Sequence, residues 1–354
     1  MPQININLGL PCYPVEAQVR DRIGILQRVE RVYNFKSLGI DKYLNVFFPG
    51  EMVKDPKKWQ ETLQKTRDVL SGVGYEGFLP PVIECNGSFK EFDPRLDYSH
   101  PESEDALKRL IEAVNLFGSS LLNVHLSTTR MAKDWKNEWD TPEYKKETMV
   151  SALERISRLR QQEGYEGIIT LETMPLPKMG DVFLHPEEMA YDILLTTVRA
   201  LVTFNPPEGI ELCLDTSHTG LAIQKINCLR RKYKTLTKEI LEDEGIKGLD
   251  PNIPFQPSLI DTIRNSPLLH KVGLVHFSDY TGPWEPNSQL FHEGVQPLEG
   301  NFGFLLIDLL REINSFAIKD QRRIPVTLEV SIADYNNAVE MEHGLELLME
   351  FLTY

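Results

Sequence analysis

The chain has 354 residues, enough for one large α/β barrel with insertions or for two smaller domains. Its composition, 41% hydrophobic and 25% charged, is that of a soluble globular protein; no run approaches the roughly 18 apolar residues of a membrane span, and MPQININLGLPCY lacks the basic and apolar regions of a secretory leader. The net charge of −14 opposes a phosphate backbone and argues against nucleic acid as the partner.

Strand-like and helix-like runs alternate along the chain. The strands expected are 3–10, 43–48, 77–85, 121–127, 167–174, 210–215, 272–278 and 324–330, each short and bounded by Gly, Pro, Asn or Asp. Between them, 56–72 repeats apolar residues at helical spacing (Trp59, Leu63, Thr66, Val69, Leu70). The stretch 103–117 opens on a capping Ser103 and ends at Gly118; 141–162 opens T-P-E, a cap followed by Pro at the first helical position. The stretches 185–204 and 302–316 read as helices in the same way. Eight strands with intervening helices predict a (β/α)8 TIM barrel, residues 1–354 forming a single domain. A doubly wound open sheet is the main alternative, but the GxGxxG turn it usually carries is absent. Two connections are long. Residues 219–271, after the sixth strand, hold a basic amphipathic helix and the Pro-rich LDPNIPFQPS. Residues 279–301, after the seventh, show no clear secondary structure. The basic run Arg230, Arg231, Lys232 and Lys234 reads as a solvated helix face. The cysteines at 12, 85, 213 and 228 form neither a CxxC pair nor a disulfide framework, which points to a reducing, cytoplasmic setting.

The chemistry lies at the strand ends. Glu172 (IITLETMP), Asp215 (IELCLDTSHTG), His276 (KVGLVHFSD) and Glu329 (IPVTLEVS) close four successive apolar runs. In a parallel barrel all these ends open onto one face, where catalytic groups gather. Burying a carboxylate without a partner is expensive. Almost no basic residue occurs at the matching positions, so a divalent cation is the cheaper neutraliser. Two Glu, one Asp and one His suit a hard or borderline ion, with Mn, Mg, Co and Zn all open. Each residue also has a plainer reading: Asp215 as a helix cap with His218 on the surface, the glutamates in salt bridges, His276 as a satisfied core residue. His125 (LLNVHLS) stands at the same place on the fourth strand and would bind a second metal, hydrogen-bond substrate or simply pack. His292 and Glu299, in HEGVQPLEGNFGF, are candidate substrate contacts near the mouth, with a turn or helix-dipole carboxylate as the plainer reading of Glu299. Trp284, on the loop after the seventh strand, and Trp135 and Trp139, on the loop after the fourth, would either stack on a substrate or pin those loops.

The ordered motifs LETM, CLDTSH, VHFSD, QPLEGNFGF and TLE resemble the xylose-isomerase-like TIM-barrel superfamily, over roughly residues 121–330. That group includes sugar isomerases and epimerases, keto-polyol dehydratases and the endonuclease IV family. The resemblance implies one divalent metal held by Glu172, Asp215, His276 and Glu329, with Glu172 and Glu329 as the acid/base pair acting through an enediolate and His218 on a substrate oxygen. It implies a small carbohydrate-like substrate. The endonuclease branch uses three metals and further histidines. Here the third strand, PPVIECNGS, carries no His, and Leu290 stands where an Asp before His292 is expected. A non-catalytic barrel is the remaining alternative, disfavoured by an intact ligand set. The long sixth connection is a candidate surface for a homo-oligomer.

Overall fold

The computed structural model describes residues 3–86, 93–126, 142–174, 195–243, 251–281, 292–330 and 338–353. Ten strands occur among them: β1 (Ile6–Cys12), β2 (Lys42–Pro49), β3 (Val82–Asn86), β4 (Leu121–Val124), β5 (Ile168–Glu172), β6 (Ile210–Asp215), β7 (Val272–Phe277), β8 (Asp279–Thr281), β9 (His292–Val295) and β10 (Ile324–Leu328). Eight of them close a parallel barrel in the order β1-β10-β7-β6-β5-β4-β3-β2, while β8 and β9 form a separate antiparallel ribbon. This is the expected (β/α)8 barrel. The residues between 279 and 301 depart from expectation, since the ribbon supplies structure at both ends of that connection.

Period-two alternation explains the barrel. Outward residues such as Leu8, Leu44, Val46, Ile83, Leu122, Leu171 and Leu214 are buried beneath the helices in one large apolar cluster. The helix Pro56–Gly72 begins as its sequence dictates: Asp55 accepts from the backbone N–H groups of Lys57 and Lys58, and Pro56 fills the first position. Its Trp59 packs edge-on against Phe48 of β2, with ring centroids 5.1 Å apart. β3 starts at Val82 rather than Gly77. Gly77 has φ of +79°, and Pro80 and Pro81 cannot donate to a ladder.

The inward residues grade from apolar to titratable along the barrel axis. Tyr43, Val82, Leu121, Cys213 and Leu274 form a small buried cluster of their own. Tyr43 lies so close to Gly9 that a Cβ there would stand 2.3 Å from its ring. Asn45, Glu84, Asn123 and Thr170 follow one step along their strands, all buried and polar. At the C-terminal ends of the strands stand His125, Glu172, Asp215 and His276, also buried, and Glu329 just past β10. The backbone of Glu329 still donates to Phe277 O at 3.2 Å, so the ladder fixes where its side chain starts.

Candidate metal centre at the barrel mouth

The strand-six motif DTSH shows how local chemistry builds the site. Asp215 ends β6 and caps the helix Thr216–Lys232: its Oδ1 accepts from His218 N at 2.7 Å and from Ser217 Oγ at 2.9 Å. Thr216 Oγ1 donates to Ser278 O at 2.6 Å and accepts from Ser278 N at 3.0 Å, tying β6 to the end of β7. His218 Nδ1 lies 2.8 Å from Thr173 O, at the end of β5. With Nδ1–H given to that carbonyl, the neutral ring carries its acceptor at Nε2. The capping and ligand readings of Asp215 are therefore compatible, because Oδ1 caps while Oδ2 faces His218 Nδ1 at 3.6 Å.

Glu172, Asp215, His276 and Glu329 each offer one ligand atom, and those atoms lie within 4.8 Å of one another. His276 Nδ1 is 2.7 Å from Glu329 Oε2 and 3.4 Å from Glu172 Oε2. His276 is fully buried, yet its Nδ1 makes no aligned hydrogen bond with either carboxylate. Ligand atoms sharing a cation at about 2.0–2.2 Å stand about 3–4 Å apart. The donor set, its spacing and the unaligned buried nitrogen fit a divalent ion. The basic partners described for Glu172 and Glu329 are imidazoles, with no Lys or Arg among them.

Electrostatics express the crowding. Burial raises the Asp215 carboxyl to about 6, partly opposed by His218. Burial alone would raise Glu172 too, but His125 and His276 hold it well below the usual carboxylate range. Burial would lower His276; Cys213 and the carboxylates of Glu329, Glu172 and Glu84 raise it well above the ordinary imidazole value. A site that strains both signs of charge in this way is a functional candidate with a physical cause.

His125 joins the cluster, with Nε2 3.2 Å from Glu172 Oε2, an oxygen that also accepts from Asn123 Nδ2 at 2.8 Å. Glu84 on β3 is the member that the sequence reading missed. It is 1% exposed, and it groups with His125 and Glu172 as closely spaced ligand atoms. Its signal was present: V-I-E-C places a carboxylate inside an apolar strand run, as I-T-L-E and V-T-L-E do. Burial pushes Glu84 up to about 8, with His276 opposing. Glu299 is exposed on the turn after β9, and none of the described hydrogen bonds or ion pairs joins it to this cluster. That turn is held instead by Asp279, whose carboxylate accepts from the backbone N–H groups of Tyr280, Gly300, Phe302 and Gly303. Trp135, Trp139 and Trp284 lie outside the described residues, as does the side chain of His292.

No family model matches the chain, and no curated protein matches it significantly. Solved structures do match. The chain shares its closed (β/α)8 barrel fold with them. A structure of IOLI protein with a binding zinc atom is 16% identical, covers 98% of this chain and 97% of that one, and gives a TM-score of 0.52. D-allulose 3-epimerase from Methylomonas sp. is 14% identical, with 99% of each chain covered and a TM-score of 0.52. The same enzyme in complex with D-allulose is 14% identical over 94% of this chain and 86% of that one, with a TM-score of 0.51. At these identities the likeness is one of fold. No helix among the described residues is long and apolar enough to cross a membrane.

Proposed function

We propose that the protein is a divalent-metal-dependent isomerase or epimerase of a small sugar or keto-polyol. The observation that carries this reading is the convergence of Glu172, Asp215, His276 and Glu329 within 4.8 Å at the barrel mouth. We read the chain as one domain around that site. The four side chains would hold the ion, of which Mn, Mg, Co and Zn all suit mixed oxygen and nitrogen ligation. When bound, the ion polarises adjacent hydroxyl and carbonyl oxygens of a polyol. The carboxylates of Glu172 and Glu329 do the proton work: one removes the hydrogen beside the carbonyl, and the other returns a proton to the resulting enediolate. His218, anchored by Thr173 and Asp215, presents Nε2 to a substrate hydroxyl. His125, His292 and Trp284 are further candidates for substrate contact. Glu299, exposed on its turn, would need a substrate that reaches the rim.

The test is deuterium incorporation from heavy water, followed by NMR across ketoses, inososes and hydroxypyruvate. The wild-type protein is expected to exchange the hydrogen beside the carbonyl of at least one compound. Glu172→Gln and Glu329→Gln should each slow that exchange by at least about 10²-fold, the usual scale for losing a positioned acid or base. No exchange with any compound would remove the isomerase reading. Exchange as fast in both variants as in the wild type would remove the acid/base pair. Incision of an abasic-site duplex, abolished by Glu172→Gln, would select the endonuclease-type alternative instead.

A further inference from the structure

We infer that Glu84, locked by Asn45, is a positioning residue for His276. Its carboxylate accepts the Nε2 proton, and so turns the lone pair of Nδ1 toward Glu172, Asp215 and Glu329. This inference rests on the reading of those four residues as cation ligands.

The contact spans the barrel. β3 and β7 stand four places apart in a ring of eight, so Glu84 approaches His276 from the opposite wall. Glu84 Oε2 is 3.4 Å from His276 Nε2, and its Oε1 is 3.7 Å from His125 Nε2. Asn45 Nδ2 donates to the same Oε2 at 2.9 Å. The Asn45 amide nitrogen also lies 3.3 Å from His276 Nε2, where it can donate only to an unprotonated ring nitrogen; once Nε2 carries the proton, Glu84 Oε2 at 3.4 Å is the acceptor in reach. When Glu84 is ionised, the opposite amide orientation would set Oδ1 against a carboxylate oxygen, which disfavours it.

The requirement comes from His276 itself. An imidazole that gives Nδ1 to a cation carries its proton on Nε2. His276 is 0% exposed, so water cannot accept that proton and an interior group must. The acceptor described beside Nε2 is Glu84 Oε2. Histidine ligands of metals commonly donate their second N–H to a carboxylate, which fixes the tautomer and ring orientation. A merely structural Glu84 would be a poor choice for this place, because a buried carboxylate is destabilising unless its partners compensate. Leu or Met would fill the same space without that cost. Among the described residues its ion-pair partners are His125 and His276.

Isothermal titration of metal-free protein with Co²⁺ tests the assignment in wild type, Glu84→Gln and Glu84→Leu. Gln keeps an acceptor oxygen without the charge; Leu removes both. Affinity should fall by about 10-fold in Glu84→Gln and about 100-fold in Glu84→Leu, the range for losing an outer partner of a metal-bound histidine. A second readout needs no turnover. In zinc-loaded, ¹⁵N-histidine-labelled protein the His276 Nε2 proton should resonate far downfield, and should move upfield in Glu84→Gln. Should Glu84→Leu fail to fold, Glu84→Gln still decides by both readouts. Equal Co²⁺ affinities with an unmoved Nε2 proton would overturn the role of Glu84 and leave the four ligands standing. Cobalt binding that weakens as stated, with no sugar exchanged by wild type, would uphold it and count against the isomerase reading. A wild-type protein that binds no Co²⁺ would sink both.

Discussion

At the scale of single residues, the site separates groups that would hold an ion from groups that would hold a substrate. His218 is tied to Thr173 O and capped by Asp215, yet it is absent from the closely spaced set of four ligand atoms. His218→Ala should therefore keep the metal and raise KM or scramble orientation, with the backbone cap to Asp215 Oδ1 intact. Metal titration beside steady-state kinetics checks this; loss of the ion in His218→Ala would place the ring among the ligands instead. The four strand-end candidates were legible because each closes an apolar run with a polar group that must find a partner. Glu84 carries the same signal in V-I-E-C, but it lies inside its strand run and not at the end, where the other four stand. Its contact with His276 was not legible. It depends on two strands facing each other across a closed barrel, which no local pattern records.

Among the elements, the barrel strands could be read from the sequence because short β-branched runs between turn residues recur eight times. The start of β3 could not, since the prolines before it look apolar but cannot pair. The helix Glu16–Tyr33 was missed although Val19, Ile23, Leu26 and Val29 follow helical spacing. Its N-cap is Val15, with no side-chain cap bond to announce it. The β8–β9 ribbon was also missed, because the turn that follows β9 is organised by the carboxylate of Asp279, far earlier in the chain. The ribbon meets the helix Thr216–Lys232 at Gly220, where a Cβ would stand 2.4 Å from the Tyr280 ring and 2.6 Å from that of Phe302. Those rings pack edge to face with centroids 5.0 Å apart. Gly→Ala inside a helix ordinarily gains about 1 kcal/mol. Here overpacking should win, and Gly220→Ala should cost about 1–3 kcal/mol. Chemical denaturation decides the sign; a stabilised variant would show that the ribbon yields easily.

For the whole molecule, the buried thiols report how tightly the barrel is closed. Cys12, Cys85 and Cys213 are buried, while Cys228 is half-buried. Burial pushes Cys12 and Cys85 up to about 12 and Cys213 well above the ordinary thiol value. At pH 8 a thiol reagent should label Cys228 in the native protein and the other three only after unfolding. These folded pKa values lie above the unfolded value of 9.0. The unfolded chain therefore loses its protons first, and stability falls as pH rises from 9 toward 12. Each such thiol subtracts about 1.4 kcal/mol between pH 8 and pH 10. The destabilisation caused by Cys12→Ala should shrink by that amount over the interval; a constant difference would mean that water reaches Cys12. Four side chains, from β5, β6, β7 and just past β10, would form one cation site. Elemental analysis of purified protein, before and after Asp215→Ala and His276→Ala, tests it. We expect about one divalent ion per chain in the wild type and its loss in both variants. A wild-type protein free of metal that takes up none on titration, or variants that keep the ion undiminished, would contradict the account.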